Sequence, residues 1–259
     1  MIEADSTCEE KTPVCLTIGG SDSCGGAGIQ ADLRVFEALG VHGCSAITAL
    51  TAQNPSHISR IEPVSLAQFD AECHAVFDYY DVVAVKTGML WDVEHIAVLS
   101  AVLHERHQGY LVVDPVLLSS SGKTLLPDSA IDTLMRALLP MATLITPNLD
   151  EAAVLLGEPV NDAEQAGRLL LERCAQYSNS SVLLKGGHAD ADSLVDILYT
   201  DDAHMHRFTH PHQSWSLQQR HGTGCRLASA ITANLAQQQP LTLAVENAIT
   251  YLQESCMLS

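Results

Sequence analysis

The sequence predicts an α/β fold, a central and mainly parallel sheet covered by helices on both faces, with a small antiparallel hairpin at one edge. Three observations predict it. Short apolar runs (VCLTIG, VVAVK, YLVVD, SVLLK) recur along the chain, each a strand candidate. Between them lie segments whose apolar residues repeat at helical spacing, and this alternation specifies a parallel sheet with both faces buried. No repeat, low-complexity tract or long linker divides the 259 residues, so 1–259 reads as one domain, with 1–12 as a flexible tail.

The elements follow in order. Residues 14–19 form a strand ending in glycine, and 29–39 a helix on Ile29, Leu33, Phe36 and Leu39. Residues 43–48 are the next strand, and 65–80 a helix with Ser65 and Gln68 in capping-box positions. Residues 82–86 are a strand and 92–107 a helix capped by Asp92. The strand 110–114 is stopped by Pro115, and the helix 127–139 carries Pro127 where a missing amide does no harm. A strand at 142–146, helices at 148–156 and 162–175, and a strand at 181–185 complete the alternation. Residues 193–200 and 204–209 flank Asp201 and Asp202 as a hairpin, and helices at 222–235 and 241–252 follow.

Composition narrows the function classes. Hydrophobic residues at 47% and charged residues at 17% suit a compact chain that buries a core. A net charge of −18 argues against nucleic acid or an anionic membrane as partner. The eight cysteines show no CxxC pair and read as reduced thiols of a cytoplasmic protein. No apolar run reaches membrane-spanning length, and the acidic start lacks the marks of a signal peptide. The histidines at 204, 206, 210 and 212 lack the spacing of a metal site.

In such folds ligands gather beyond the carboxyl ends of the strands. The segment His221–Cys225 (HGTGC) leads directly into a helix. Its glycines allow close backbone approach, and the unpaired amides at the helix start make an anion site. The same field favours a thiolate at Cys225. A plain glycine turn with an incidental cysteine fits the spacing equally well. Asp32, one turn into a helix, reads by position as a solvated or dipole-facing carboxylate, and Met89 as core filling. Asp114 ends a strand, where a carboxylate can reach a metal near phosphates, and Asn148 with Glu151 has capping-box spacing. Lys185 ends a strand before two glycines.

HGTGC resembles the phosphate loop of hydroxymethylpyrimidine and phosphomethylpyrimidine kinases, the thiamine-biosynthetic branch of the ribokinase-like superfamily. LTIGGSDSCGGAGIQADL, ITALTAQN, VKTGML, VVDPV, LITPNLDEA and LLKGGH resemble the same family in the same order, from Val14 to the last helix. The resemblance implies a ribokinase-like three-layer fold and two ATP-dependent phosphorylations, first of an aminopyrimidine alcohol and then of its monophosphate. It implies a pyrimidine pocket of Gly20, Asp32, Gln53, Met89 and Val116, with Gln53 pairing to the ring. It places Lys185 and Asn148 near ATP, Asp114 and Glu151 near Mg2+, and the amides of Gly222, Thr223 and Gly224 beside a catalytic Cys225. A homodimer is a further implication.

Three features depart from the family pattern. Arg226 stands where a small hydroxyl residue is usual, Arg220 and the Gln-rich approach replace a threonine-containing one, and the chain ends at Ser259 short of a glycine- and histidine-containing tail. They leave open a catalytically weak paralogue that binds pyrimidine phosphate. A pyridoxal-type kinase would share the scaffold, but its pyridine ring suits Gln53 less well. A Rossmann dehydrogenase is disfavoured, because G-x-G-x-x-G is missing after the first strand.

Overall fold

The computed structural model describes residues 11–118, 124–160, 162–175, 180–190, 193–200, 202, 204–211 and 213–257. Most of the expected tail, the turn residue Asp201 and His212 lie outside the described residues. Among the described residues, nine strands make one sheet in the order β3-β2-β1-β4-β5-β6-β7-β8-β9. They are β1 Val14–Asp22, β2 His42–Asn54, β3 His57–Pro63, β4 Val82–Thr87, β5 Tyr110–Val113, β6 Leu144–Ile145, β7 Ser181–Asp190, β8 Ser193–Tyr199 and β9 Met205–Pro211. β2, β1, β4, β5, β6 and β7 run parallel. β3 pairs antiparallel to β2, and β8 and β9 form the expected antiparallel hairpin beyond β7.

The helices are α1 Gly28–Ala38, α2 Leu66–Phe77, α3 Val93–Arg106, α4 Asp128–Thr133, α5 Leu149–Leu156, α6 Ala163–Ala175, α7 Leu217–Arg220, α8 Thr223–Ala236 and α9 Leu241–Met257. Alternate side chains of the buried strands supply two cores, because successive residues of a strand face opposite sides. Leu111 and Val113 of β5, with Val182 and Leu184 of β7, pack in the core shared with α2 to α6. Val112 and Leu183 pack in the core shared with α8 and α9, and Val35 of α1 joins them there. Among the described residues no helix is long and apolar enough to cross a membrane, and the six described cysteines that are assigned are free.

Several local expectations change. β1 runs on to Asp22 and β2 to Asn54, so Gln53 lies inside a strand and not after one. β3 is a strand that no apolar run announces, and the sheet therefore has antiparallel pairing at both edges. The single helix expected over 127–139 is α4 followed by a widened π-turn at Leu134–Leu138 and a 3-10 turn at Leu139–Met141, which contains Pro140. Ser65 caps α2 by accepting from the Gln68 amide, but the Gln68 side chain turns to Glu72 and no reciprocal box forms. Asp92 caps α3, and Asn148 with Glu151 forms a full capping box.

Candidate active site

β1 connects through α1 to β2 on one side and the chain later returns to β4 on the other, so strand order reverses between β1 and β4. A cleft of about 830 Å³ opens near that switch point, where such folds hold ligands. Gln53, Asp114, Val116, Asn148, Glu151, Lys185 and Gly222 to Cys225 all line it.

The phosphate-loop segment forms one wall. Gly222 caps α8 in the left-handed region at φ +78°, and no side chain caps the helix. A Cβ at Gly222 would stand 2.1 Å from the Gly26 carbonyl oxygen, so no other residue fits there. The amides of Thr223, Gly224 and Cys225 are thus the first donors of a long helix without a side-chain cap, and all three residues line the cleft.

Charged groups gather beside it. Lys185 Nζ donates to Asp114 Oδ1 at 3.0 Å, and Thr146 Oγ1 donates to the same oxygen at 3.1 Å. A Cβ on Gly224 would lie 3.3 Å from Lys185 Nζ and 3.9 Å from Asp114 Oδ2, which puts ammonium and carboxylate against the helix start. Burial works to discharge Lys185, but Asp114 and Glu151 outweigh it and hold the ammonium above its ordinary pKa. Burial lifts the Glu151 carboxyl above the usual range, with Lys185 opposing and Asp114 adding to the rise. The capping box fixes both partners: Asn148 N donates to Glu151 Oε2 at 3.0 Å, and Glu151 N to Asn148 Oδ1 at 2.8 Å. One ammonium, sparse carboxylates and uncapped amides suit a magnesium-bound polyphosphate, since Mg2+ keeps few protein ligands.

The opposite end is less charged. Met89, buried and not among the cleft-lining residues, packs behind Ile58, Leu125 and Val116, which do line it. Val116 holds φ +46°, strained for a β-branched residue and set directly at the cleft. Gly20 backs this wall, where a Cβ would meet Met89 Sδ at 3.1 Å. Gln53 reaches His221, whose Nε2 lies 3.2 Å from Gln53 Nε2 and 2.9 Å from Asp22 Oδ2. Burial works against the Asp22 charge, but His221 and the amides of Ala27 and Cys24 overcome it and hold the carboxyl below its usual range.

The family model for phosphomethylpyrimidine kinase matches residues 22–258. The hydroxymethylpyrimidine/phosphomethylpyrimidine kinase of Rhizobium meliloti is 42% identical over 241 residues, covering 93% of this chain and 89% of that one. The chain belongs to the phosphomethylpyrimidine kinase family. The thiamine biosynthesis bifunctional protein ThiED of Geobacter sulfurreducens is 43% identical over 94% of this chain, which spans 49% of that longer protein. The crystal structure of phosphomethylpyrimidine kinase from Clostridium difficile 630 superposes with a TM-score of 0.79 at 38% identity, covering 94% of this chain and 99% of that one. Pyridoxal kinase from Staphylococcus aureus, solved with AMP-PCP and pyridoxal, gives a TM-score of 0.81 at 30% identity, covering 93% and 87%. The fold is ribokinase-like, as these neighbours show.

Two expectations need correction. Asp32 is 1% exposed and does not line the cleft. It accepts from Lys86 Nζ at 2.9 Å, Thr17 Oγ1 at 2.6 Å and Ser229 Oγ at 2.7 Å, so its carboxylate is committed inside the protein. It is not a solvated helix-face group. Cys225 differs as well. Burial pushes its thiol up to about 11; Lys86 pulls it down, and Asp32 and Asp114 raise it further. Burial and the two carboxylates therefore work against the thiolate that the helix start was expected to favour.

Asp22 and His221 were missed as members of the site region, and Lys86 as the buried partner of Asp32. Asp22 and His221 both lay within segments that carried the resemblance, GSDSCGG and HGTGC, but nothing in their spacing shows that they meet.

Proposed function

We propose that the chain transfers the terminal phosphoryl group of ATP to the hydroxyl of 4-amino-5-hydroxymethyl-2-methylpyrimidine, and then to the resulting monophosphate, giving the diphosphate. One observation carries this: the uncapped amides of α8 and the Gln53 carboxamide face the same cleft, with His221–Gly222 joining them along the chain. ATP supplies the phosphoryl group, and magnesium would sit among Asp114, Glu151 and Asn148 and offset phosphate charge.

The protein's own groups do the rest. Gln53 can accept from an exocyclic amine and donate to the adjacent ring nitrogen, while Val116, backed by Met89, presents an apolar wall to a flat ring. Lys185 and the amides of Gly222 to Cys225 hold phosphoryl oxygens where charge moves as the bond to the leaving nucleotide breaks. Cys225, being a thiol, acts as a relay: its sulfur takes the hydroxyl proton as its own proton passes to a phosphoryl oxygen. Little base strength is needed, because phosphoryl transfer is mainly positioning and charge stabilisation. The resemblance extends to a homodimer, which sedimentation of the chain reads directly.

The pyridoxal kinases share the fold at slightly higher TM-score but lower identity, so fold alone does not separate the two substrates. The test is incubation with magnesium–ATP and the aminopyrimidine, with mass spectrometry counting phosphates added and pyridoxal as competitor. Mono- and diphosphate should accumulate and pyridoxal should compete weakly. Phosphorylation of pyridoxal alone overturns the reading.

A further inference from the structure

Three side chains far apart in sequence converge on one nitrogen at the pyrimidine end of the cleft. His221 Nε2 lies 2.9 Å from Asp22 Oδ2 and 3.2 Å from Gln53 Nε2. An ionised carboxylate only accepts, so the proton belongs on Nε2 and His221 donates there. The Gln53 amide nitrogen, a second donor, cannot then face the same atom. The other end of the carboxamide holds a matching conflict. Thr51 has one hydroxyl proton, yet its Oγ1 lies 3.0 Å from the Ser21 carbonyl and 3.1 Å from Gln53 Oε1, which are both acceptors. Both conflicts vanish when the carboxamide is turned over, exchanging its oxygen and nitrogen. His221 then donates to Asp22 and to the Gln53 carbonyl. The Gln53 amide donates to Thr51, and Thr51 donates to Ser21.

We infer that Asp22 and His221 are positioning residues that lock the Gln53 carboxamide, carbonyl toward His221 and amide toward Thr51, and so fix which way an aminopyrimidine lies in the cleft. This rests on the proposed substrate. Asp22 is held for the task, since Oδ1 accepts from the Cys24 amide at 3.0 Å and Oδ2 from the Ala27 amide at 2.8 Å. Neither Asp22 nor His221 is more than 6% exposed, so water competes little for the shared proton.

The lock has a chemical consequence. Pairing through the free edge of Gln53 puts the exocyclic amine beside the carbonyl, on the His221 side, and the ring nitrogen on the Thr51 side. In the substrate the carbon bearing the hydroxymethyl group neighbours the amine-bearing carbon, on the side away from that ring nitrogen. The hydroxymethyl group then points past His221 toward Gly222 and the amides of α8. With the carboxamide reversed, the same two hydrogen bonds would form but the alcohol would point past Thr51, away from the phosphate loop. The histidine tautomer thus selects the productive one of two equally bonded orientations.

Two measurements on the full chain test this. Nitrogen-15 spectra of the imidazoles, assigned by loss of a signal in His221→Gln, should show the His221 proton on Nε2; a proton on Nδ1 alone overturns the proposal. In kinetics with magnesium–ATP, His221→Phe should lower kcat/KM for the aminopyrimidine ~10-fold, the scale of one lost hydrogen bond, and leave KM for ATP unchanged. His221→Gln, whose amide can donate from a similar place, should restore most of the loss. On a Gln53→Leu background His221→Phe should cost little more, because the group it orients is gone. Full additivity, or equal damage to both substrates, makes His221 a structural residue and overturns the assignment. An Nε2 proton in a wild type that phosphorylates no aminopyrimidine refutes the substrate half together with the proposed function, and leaves only the hydrogen-bond pattern standing.

Discussion

Lys86 and Asp32 form an ion pair with both side chains 1% exposed, which makes their removal a sharp test of Asp32 as an internal residue. Lys86→Met deletes the ammonium and fills its space with an apolar chain of similar length. Asp32 then keeps only the hydroxyls of Thr17 and Ser229 and has lost its counter-ion in a dry interior. Stranding one member of a buried pair costs ~3–5 kcal/mol. For a chain of this size that lowers Tm by roughly 6–20 °C. Adding Asp32→Asn removes the stranded charge, and the double variant should recover at least half of the loss, since a buried pair and a neutral replacement often differ little. Thermal unfolding followed by circular dichroism measures all three proteins, and pyrimidine and ATP kinetics run beside it. The reasoning fails if Asp32→Asn leaves Tm at the wild-type value while raising KM for the pyrimidine alone. That result would return Asp32 to the substrate pocket.

Two other outcomes follow from local geometry. Gly222→Ala adds a Cβ 2.1 Å from a backbone oxygen at φ +78°, whereas Gly157→Ala at φ +77° meets nothing within 4 Å. Gly157→Ala should cost only the left-handed backbone penalty of ~1 kcal/mol, while Gly222→Ala should cost more in thermal unfolding and abolish most turnover; equal effects would refute the close contact. The Cys225 thiol, placed at about 11, should alkylate with iodoacetamide slowly at neutral pH and faster as pH rises through that value, read by peptide mapping. A half-rise near neutrality would show that the helix field wins after all.

The fold was legible where strands are apolar on both faces. VVAVK and YLVVD carry a core on each side, and no other element explains such runs. β3 escaped because HISRIEP is an edge strand, mostly exposed, with Arg60 and Glu62 paired to each other in solvent. Its turn residues Asn54 and Pro55 suggest a loop, and only the pairing with β2 makes it a strand. Asp32 was misplaced for a related reason. A buried pair whose members lie 54 residues apart leaves no periodic trace, and an aspartate in the first turns of a helix resembles a dipole partner. The start of α8 was legible because two glycines before a helix are local features. The state of Cys225 was not, since it depends on burial and on Asp32 and Asp114, which arrive from other elements.

The contact that decides the site joins the two ends of the chain. His221 and Asp22 are 199 positions apart, and Gly26 and Gly222 meet beside them. A Cβ on Gly26 would lie 2.5 Å from His221 Cδ2, and one on Gly222 would strike the Gly26 carbonyl. Each loop therefore requires glycine because of the other, and GGAG with HGTG behaves as one structural unit split across the sequence. The unit ties two walls of the cleft together, because its histidine meets Gln53 while the next residue caps α8. A backbone shift of either loop would therefore move both loops together, whereas replacing the His221 side chain alone leaves the Gly26–Gly222 contact in place.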